Sequence, residues 1–272
     1  MALIPILLLA RRHTSLPALL RNGLRRRQFF LHYQPIVELA TGRCVGAEAV
    51  IRWQRHDGSF VRPDLFIPVA EECGLIRKVT ARVMELLRHD ATTILDAYPD
   101  LMISFNLAPE DMRSEQILDE LRELLDTKNV HPENLHIEMT ERGILNTDHA
   151  REIVQAIREL GIRVAIDDFG TGFSSLSYLT TFEVDYLKID KAFVDPIGTA
   201  AATSQVAMHI IKMAKELNLM MIAEGVETEE QATILRNAGV QYAQGWLFAK
   251  AMDPAALCNF VTSSRRPCSP IG

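Results

Sequence analysis

The sequence predicts an α/β fold, a modified (β/α)8 TIM-like barrel whose first strand is antiparallel. Eight short β-rich segments recur from residue 29 onward, and amphipathic helical patterns lie between most of them. Strands that alternate with helices at this rhythm pair in parallel, and eight of them favour a barrel. The first two segments are joined only through ELATGR, which is too short for a helical crossover. An open doubly wound sheet is the alternative.

The predicted strands are short runs rich in β-branched and aromatic residues. They are residues 32–39, 44–53, 101–108, 135–141, 163–170, 184–190, 220–227 and 242–248. The clearest helical patterns are SEQILDELRELLDTK, DHAREIVQAIRELG and TSQVAMHIIKMAKELN, in which apolar residues recur at intervals of three and four. Gly161 ends the second of these helices in the usual way.

Composition limits the classes of function. The chain has 272 residues, 48% of them hydrophobic, which suits one large domain. Its net charge of −6 argues against binding a long nucleic acid through the phosphate backbone, although a small phosphorylated ligand remains compatible. The four cysteines show no CxxC spacing, which indicates a reducing compartment without a zinc or disulfide framework.

The two ends differ from the barrel. Residues 1–28 comprise an apolar stub and an amphipathic linker, and residues 263–272 form a polar tail that we expect to be flexible. The stub MALIPILLLA is half of the about 20 residues that span a bilayer. Two interpretations stay open: the end of a transmembrane helix followed by cytoplasmic arginines, or a leader that packs on the domain. The domain itself is predicted over residues 29–262.

Polar side chains interrupt every predicted strand, in the parallel strands toward the carboxyl end. They are Gln34, Glu48, Arg52, Asn106, Glu138, Asp167, Asp168, Lys188, Glu224 and Gln244. Active sites of α/β barrels are built at the carboxyl ends of several strands. One acid at a strand end is commonly a helix cap or a rim residue. Five carboxylates from four strands are harder to explain in that way.

Five carboxylates at one barrel mouth would repel one another, and several would stay protonated unless cations were bound. Carboxylate and amide oxygens suit Mg²⁺ or Mn²⁺, and the lack of His and Cys at these positions disfavours zinc. The neighbours Asp167 and Asp168 could serve two ions about 3.5–4 Å apart, an arrangement that clamps a phosphodiester. Both can reach one site only if the chain turns there, and the following FGTGF can supply the turn.

Lys188 admits three roles. It could form a Schiff base, or it could stabilise anionic charge and orient a water molecule beside the metals. The surrounding acids would keep it protonated, which opposes Schiff-base chemistry. The third role is a purely structural pairing with a barrel acid. The loop DFGTGFSSLSYL allows two interpretations: a mobile lid anchored by Glu141, or an ordinary helix start capped by Ser174 or Ser175.

Eight motifs in order make the sequence resemble the EAL-domain family of cyclic di-GMP phosphodiesterases over about residues 29–260. They are YQPI, EAVIRW, SFNLA, IEMTE, DDFGTGFSSLSYL, LKID, AEGVET and QGWLF. The resemblance implies a modified barrel that hydrolyses cyclic di-GMP to linear pGpG with two ions, Mg²⁺ or Mn²⁺. It also implies a homodimer that forms contacts near the glycine-rich loop. The stub is similar to that of members anchored in the inner membrane with a cytoplasmic EAL domain.

The resemblance also implies roles for individual residues. Metal would be held by Glu48, Asn106, Glu138 and Asp167, with Asp168 on the second ion. Lys188 would position the attacking water or stabilise charge, and Glu224 would assist at the second ion through water. Gln34, Arg52 and Gln244 would contact the dinucleotide, and Glu141 would hold the loop.

Two positions depart from the family pattern. Val50 replaces the signature leucine, and Met252 stands where members often have proline. Neither position supplies a ligand atom, so affinity or rate is affected more than the chemistry.

Two other functions compete with the phosphodiesterase. A non-catalytic cyclic di-GMP receptor or interaction module would have the same fold, but such members usually lack some of these ligands. An unrelated barrel, such as a metal-dependent lyase or a Schiff-base aldolase, does not explain eight motifs in order.

Overall fold

A computed structural model describes residues 15–140, 148–170, 182–199 and 202–265. Within these ranges the strands are β1 (Phe29–Glu38), β2 (Cys44–Gln54), β3 (Phe60–Val61), β4 (Met102–Leu107), β5 (Leu135–Thr140), β6 (Arg163–Phe169), β7 (Tyr186–Ile189), β8 (Met220–Ala223) and β9 (Tyr242–Ala243). Each of the eight predicted strands is therefore present, although the last is much shorter than predicted.

The strands close into a barrel. Its order is β1-β2-β4-β5-β6-β7-β8-β9, and β9 pairs with β1 again. Strand β1 is antiparallel to both of its neighbours, whereas the pairs from β2–β4 to β8–β9 are parallel. The predicted barrel with an antiparallel first strand is confirmed, and the open sheet is wrong. Strand β3, which was not predicted, adds two residues to the edge of β2.

Helices surround the barrel. Those of the described residues are α1 (Leu16–Arg25), α2 (Pro63–Glu72), α3 (Ile76–Ala97), α4 (Gln116–Leu125), α5 (Asp148–Glu159), α6 (Lys191–Val194), α7 (Ala202–Glu216), α8 (Glu229–Asn237) and α9 (Pro254–Ser264). Across the described part of the chain, no helix combines the length and apolar character that crossing a bilayer requires.

Helix α1 packs on the barrel wall at the end of β2. Leu20 is fully buried, and a Cβ atom on Gly23 would lie 2.8–3.1 Å from the indole of Trp53. That indole stacks on Phe29 at 5.2 Å between ring centroids and meets Phe66 edge-on at 5.6 Å. The helix is thus part of the packed domain, and it contacts the strand that carries Glu48 and Arg52.

The barrel interior has an apolar floor below a polar mouth. Ile36, Met102, Ala165, Tyr186 and Ile222 form a buried cluster of their own, separate from the large core between barrel and helices. Side chains two residues apart on a strand share a face. The positions two residues beyond Ala165, Tyr186 and Ile222 therefore face the same interior one level higher, toward the carboxyl ends. Those positions are Asp167, Lys188 and Glu224.

Candidate active site

Lys188 lies at the centre of the polar mouth. Its Nζ atom is 2.5 Å from Glu138 Oε2, 2.6 Å from Glu224 Oε1, 3.3 Å from Asp167 Oδ1 and 3.5 Å from Glu48 Oε2. The side chains of Lys188 and Glu138 are 1% and 0% exposed. Four strands thus bring their acids to one ammonium group.

Two amides orient these carboxylates. The Nδ2 atom of Asn106 donates to Glu48 Oε1 at 3.1 Å and to Glu138 Oε2 at 3.2 Å. The Nε2 atom of Gln244 donates to Glu48 Oε2 at 2.7 Å and to Glu224 Oε1 at 3.2 Å. Gln244 is nearly fully buried, and its amide nitrogen faces the acid cluster.

Burial and the neighbouring charges raise the pKa values of Glu138, Glu224 and Lys188. Burial, and then the charge of Glu48, raise the pKa of Glu138 to about 8 against the opposing effect of Lys188. Burial also raises the pKa of Glu224. Burial alone would lower the pKa of Lys188, but the carboxylates, led by Glu138, raise it well above the usual value. Lys188 is therefore a stable ammonium, which disfavours a Schiff base.

The residues fit a divalent cation by their chemistry. Their oxygens are hard donors, and Glu138 Oε1 is buried without a hydrogen-bond partner among the described residues. In the described ranges, no three acidic, histidine or cysteine side chains are arranged as a bound ion requires. Lys188 lies between the carboxylates instead.

A bulge brings two neighbouring aspartates to the mouth. The β6–β7 register shifts between Ile166 and Phe169, and Asp168 has a φ angle of +55°. Asp is one of the few residues that adopt this left-handed conformation at modest cost. The chain turn that lets both Asp167 and Asp168 face the mouth thus occurs at Asp168 itself, before the glycine-rich loop. Burial, followed by the charges of Asp167 and Asp190, raises the pKa of Asp168.

Strand β2 presents Glu48, Val50 and Arg52 on one face. All three are half-buried, whereas their neighbours Ala49 and Ile51 are buried on the opposite face. Arg52 Nη1 donates to the backbone oxygen of Ile51 at 3.2 Å. Across the β1–β2 ladder, Gln34 is the direct partner of Glu48. The alternation predicted for this strand therefore places Arg52 on the same face as Glu48, and the ladder places Gln34 beside Glu48. These are two of the three candidate substrate ligands.

A cavity of about 610 Å³ adjoins the acid cluster. Val50, Asn106 and Asp168 line it on the barrel side, and α2 and α3 supply an apolar wall. Glu71 and Glu110 also line it, and burial together with Glu110 raises the pKa of Glu71. The strand pattern did not indicate these two acids, because both lie outside the predicted strands. Glu110 follows the carboxyl end of β4, the position at which barrel site residues are expected.

Met252 contributes its backbone to the barrel. Its N–H donates to Tyr33 O at 3.0 Å, and its O accepts from Tyr33 N at 2.7 Å. Proline could not donate the first of these bonds, so Met252 permits a complete bridge to β1.

Some predicted features lie outside the described residues. They are the loop anchor Glu141, Ser174, Ser175 and the rest of 171–181 in the glycine-rich loop, residues 1–14, and residues 266–272.

The fold and site define a class of protein, an α/β barrel with an acidic cluster at its carboxyl-end mouth. The family model for the EAL domain matches residues 18–251, and the chain belongs to that family.

Relatives and solved structures agree with this assignment. Probable cyclic di-GMP phosphodiesterase PdeB of Escherichia coli (strain K12) is 43% identical over 247 residues, which cover 91% of this chain and 47% of PdeB. The chain thus spans about half the length of this curated relative. The structure of the PaMucR phosphodiesterase in complex with c-di-GMP aligns with a TM-score of 0.83 and 33% identity, covering 89% of this chain and 99% of that one. The EAL enzyme Bd1971, with cAMP and cyclic di-GMP bound, aligns with a TM-score of 0.87 and 31% identity. The alignment covers 90% of this chain and 68% of the Bd1971 chain.

Proposed function

We propose that this domain is a cyclic di-GMP phosphodiesterase that hydrolyses its substrate to linear pGpG with two divalent ions, Mg²⁺ or Mn²⁺. The observation that carries the proposal is the convergence of Glu48, Glu138, Asp167 and Glu224 on Lys188 at the barrel mouth. The names of PdeB and of the PaMucR complex with c-di-GMP support the same substrate.

Glu48, Asn106, Glu138 and Asp167 would hold one ion, and Asp168 would hold the second. When bound, the ions would polarise the phosphate and supply hydroxide at neutral pH. Asn106 would present its amide oxygen, so its amide must rotate, because the nitrogen faces Glu48 and Glu138 here. Gln244 would hold the carboxylates of Glu48 and Glu224 in place through the two hydrogen bonds that it donates.

Lys188 would act on charge and on water. Because its ammonium is stable, it can stabilise the negative charge that develops on the phosphate oxygens. Glu224, whose Oε1 lies 2.6 Å from this ammonium, would orient the attacking water near the second ion.

The dinucleotide would lie across the mouth and extend into the neighbouring cavity. Gln34, Arg52 and Gln244 would contact it, with the guanidinium of Arg52 suited to a phosphate or a guanine edge. The cavity would hold one base, and the carboxylates of Glu71 and Glu110 could accept hydrogen bonds from guanine N–H groups.

Further proposals follow from the family resemblance. Glu141 would anchor the glycine-rich loop, and the domain, over residues 29–262, would form a homodimer near that loop. Residues 1–28 would allow a cytoplasmic domain to associate with the inner membrane.

Incubation with cyclic di-GMP and Mn²⁺, followed by chromatographic identification of the product, tests the proposal. We expect linear pGpG. Nucleotide binding without any product, from folded protein with Mn²⁺ present, would instead assign the domain as a receptor.

A further inference from the structure

The turn that follows β8 sets the direction of Glu224. The backbone N–H of Glu224 donates to Ile189 O at 2.9 Å, and that of Val226 donates to Gln244 O at 3.1 Å. Gly225, between them, has a φ angle of +67°, a conformation that glycine adopts without steric cost. The turn is therefore bonded to the ends of β7 and β9. A small shift of this turn would move the carboxylate of Glu224 within the mouth.

Lys191 covers the outer side of this turn. A Cβ atom on Gly225 would lie 2.7 Å from both Cβ and Cδ of Lys191, so the lysine stem lies directly against the glycine. The Nζ atom is 2.6 Å from Glu227 Oε1 and 2.8 Å from Asp195 Oδ1. Lys191 thus connects the start of α6 to the residues that follow Glu224.

We propose that Lys191 is a positioning residue for Glu224, which holds the turn at residues 224–227 against α6 without touching the substrate. The inference rests on the proposed function. Glu224 is held from inside by Lys188, and its turn is held from outside by Lys191. An exposed ion pair contributes little to global stability, and the side chain of Lys191 is 45% exposed. Its effect is therefore local: it fixes the geometry of one carboxylate.

Three substitutions separate the charge of Lys191 from its stem. Lys191→Met keeps an apolar stem and removes the charge, Lys191→Ala removes both, and Lys191→Arg keeps both. The matched control is Lys212→Met, since Lys212 forms an exposed pair with Glu216 at 3.9 Å on α7. Each variant is measured for unfolding free energy, for kcat and KM with cyclic di-GMP, and for Mn²⁺ affinity by calorimetry without nucleotide.

Lys191→Met should lower kcat about tenfold with KM nearly unchanged, because displaced catalytic groups reduce the rate more than binding. Lys191→Arg should restore most of the rate, and Lys212→Met should match wild type. Unfolding free energies should stay close to wild type in all these variants. A wild-type kcat in Lys191→Met, or a loss that Lys191→Arg does not recover, would overturn the proposal.

The Mn²⁺ titration separates this inference from the proposed function. If the wild-type domain forms no pGpG, the proposed function fails, but Lys191→Met should still bind Mn²⁺ more weakly than Lys191→Arg and Lys212→Met. Equal Mn²⁺ affinity in all three variants would then overturn the positioning role.

Discussion

Lys188 keeps mutually repelling carboxylates together in the protein without metal. Its ammonium contacts Glu48, Glu138, Asp167 and Glu224 at 2.5–3.5 Å, and it is almost completely buried. Removing one partner of a buried ion pair leaves the other charges without compensation, which typically costs about 3–5 kcal/mol. The residue is thus important for stability as well as for the proposed chemistry.

Lys188→Met should therefore lower the unfolding free energy of the metal-free protein by about 3 kcal/mol or more. Denaturant unfolding in EDTA measures this, with Lys212→Met as the exposed control. Added Mn²⁺ should recover part of the loss, because it replaces the missing positive charge. Unchanged stability in EDTA would show that Lys188 is not the counter-ion of the cluster.

Val50 forms part of the cavity wall, which gives the departure from the family signature a physical meaning. Val50→Leu adds one methylene where the substrate would bind, and a buried methylene contributes about 0.8 kcal/mol. KM for cyclic di-GMP should fall roughly fourfold with kcat unchanged. Val206→Leu, on the exposed side of α7, is the control. An unchanged KM would place the substrate away from this wall.

The polar residues of the mouth could be predicted from sequence because each interrupts an apolar strand. Their pairing could not, since four acids meet Lys188 only after the barrel closes. Asp168 shows the same limit. Its left-handed φ angle arises from the bulge between β6 and β7, and the sequence indicated only the glycines that follow.

The helices and strands could be predicted from the sequence where the hydrophobic pattern extended over many residues. The β1–β2 pairing follows from a connection that is too short for a crossover helix. Strand β3 has two residues and carries no alternation that could be recognised. Strand β9 ends early because the chain turns at Gly245, where a Cβ atom would collide with the backbone of Val226.

Helix α1 is packed closely on the barrel where Gly23 meets the indole of Trp53. Gly23→Leu should destabilise the domain by about 1–3 kcal/mol, because the new side chain must enter the space of Trp53. Arg21→Leu, on the exposed face of the same helix, should be neutral or slightly stabilising. Thermal or urea unfolding of both variants measures the difference. If Gly23→Leu were as stable as Arg21→Leu, α1 would not be docked on Trp53.

The mouth of the barrel carries an excess of negative charge. Five carboxylates and one ammonium group leave a formal charge that two divalent cations would cancel, apart from any protons the acids retain. Any ligand that binds only the folded state raises its stability.

Each bound Mn²⁺ ion should therefore stabilise the wild-type domain by about 2.7 kcal/mol at a concentration of about 100 times the dissociation constant of its site. Thermal unfolding with and without the ion measures this shift. Glu48→Gln is the matched variant, and its shift should be smaller because one ligand oxygen has lost its charge. The same shift in both proteins would place the ion elsewhere.

The most direct test of the account compares the rate of pGpG formation from cyclic di-GMP by wild-type protein and by Glu48→Gln across a Mn²⁺ titration. Circular dichroism verifies that both are folded. We expect turnover by wild type that rises with Mn²⁺ and disappears in EDTA, and no turnover by Glu48→Gln at any Mn²⁺ concentration. Normal turnover by Glu48→Gln, or wild-type turnover that persists in EDTA, would contradict it.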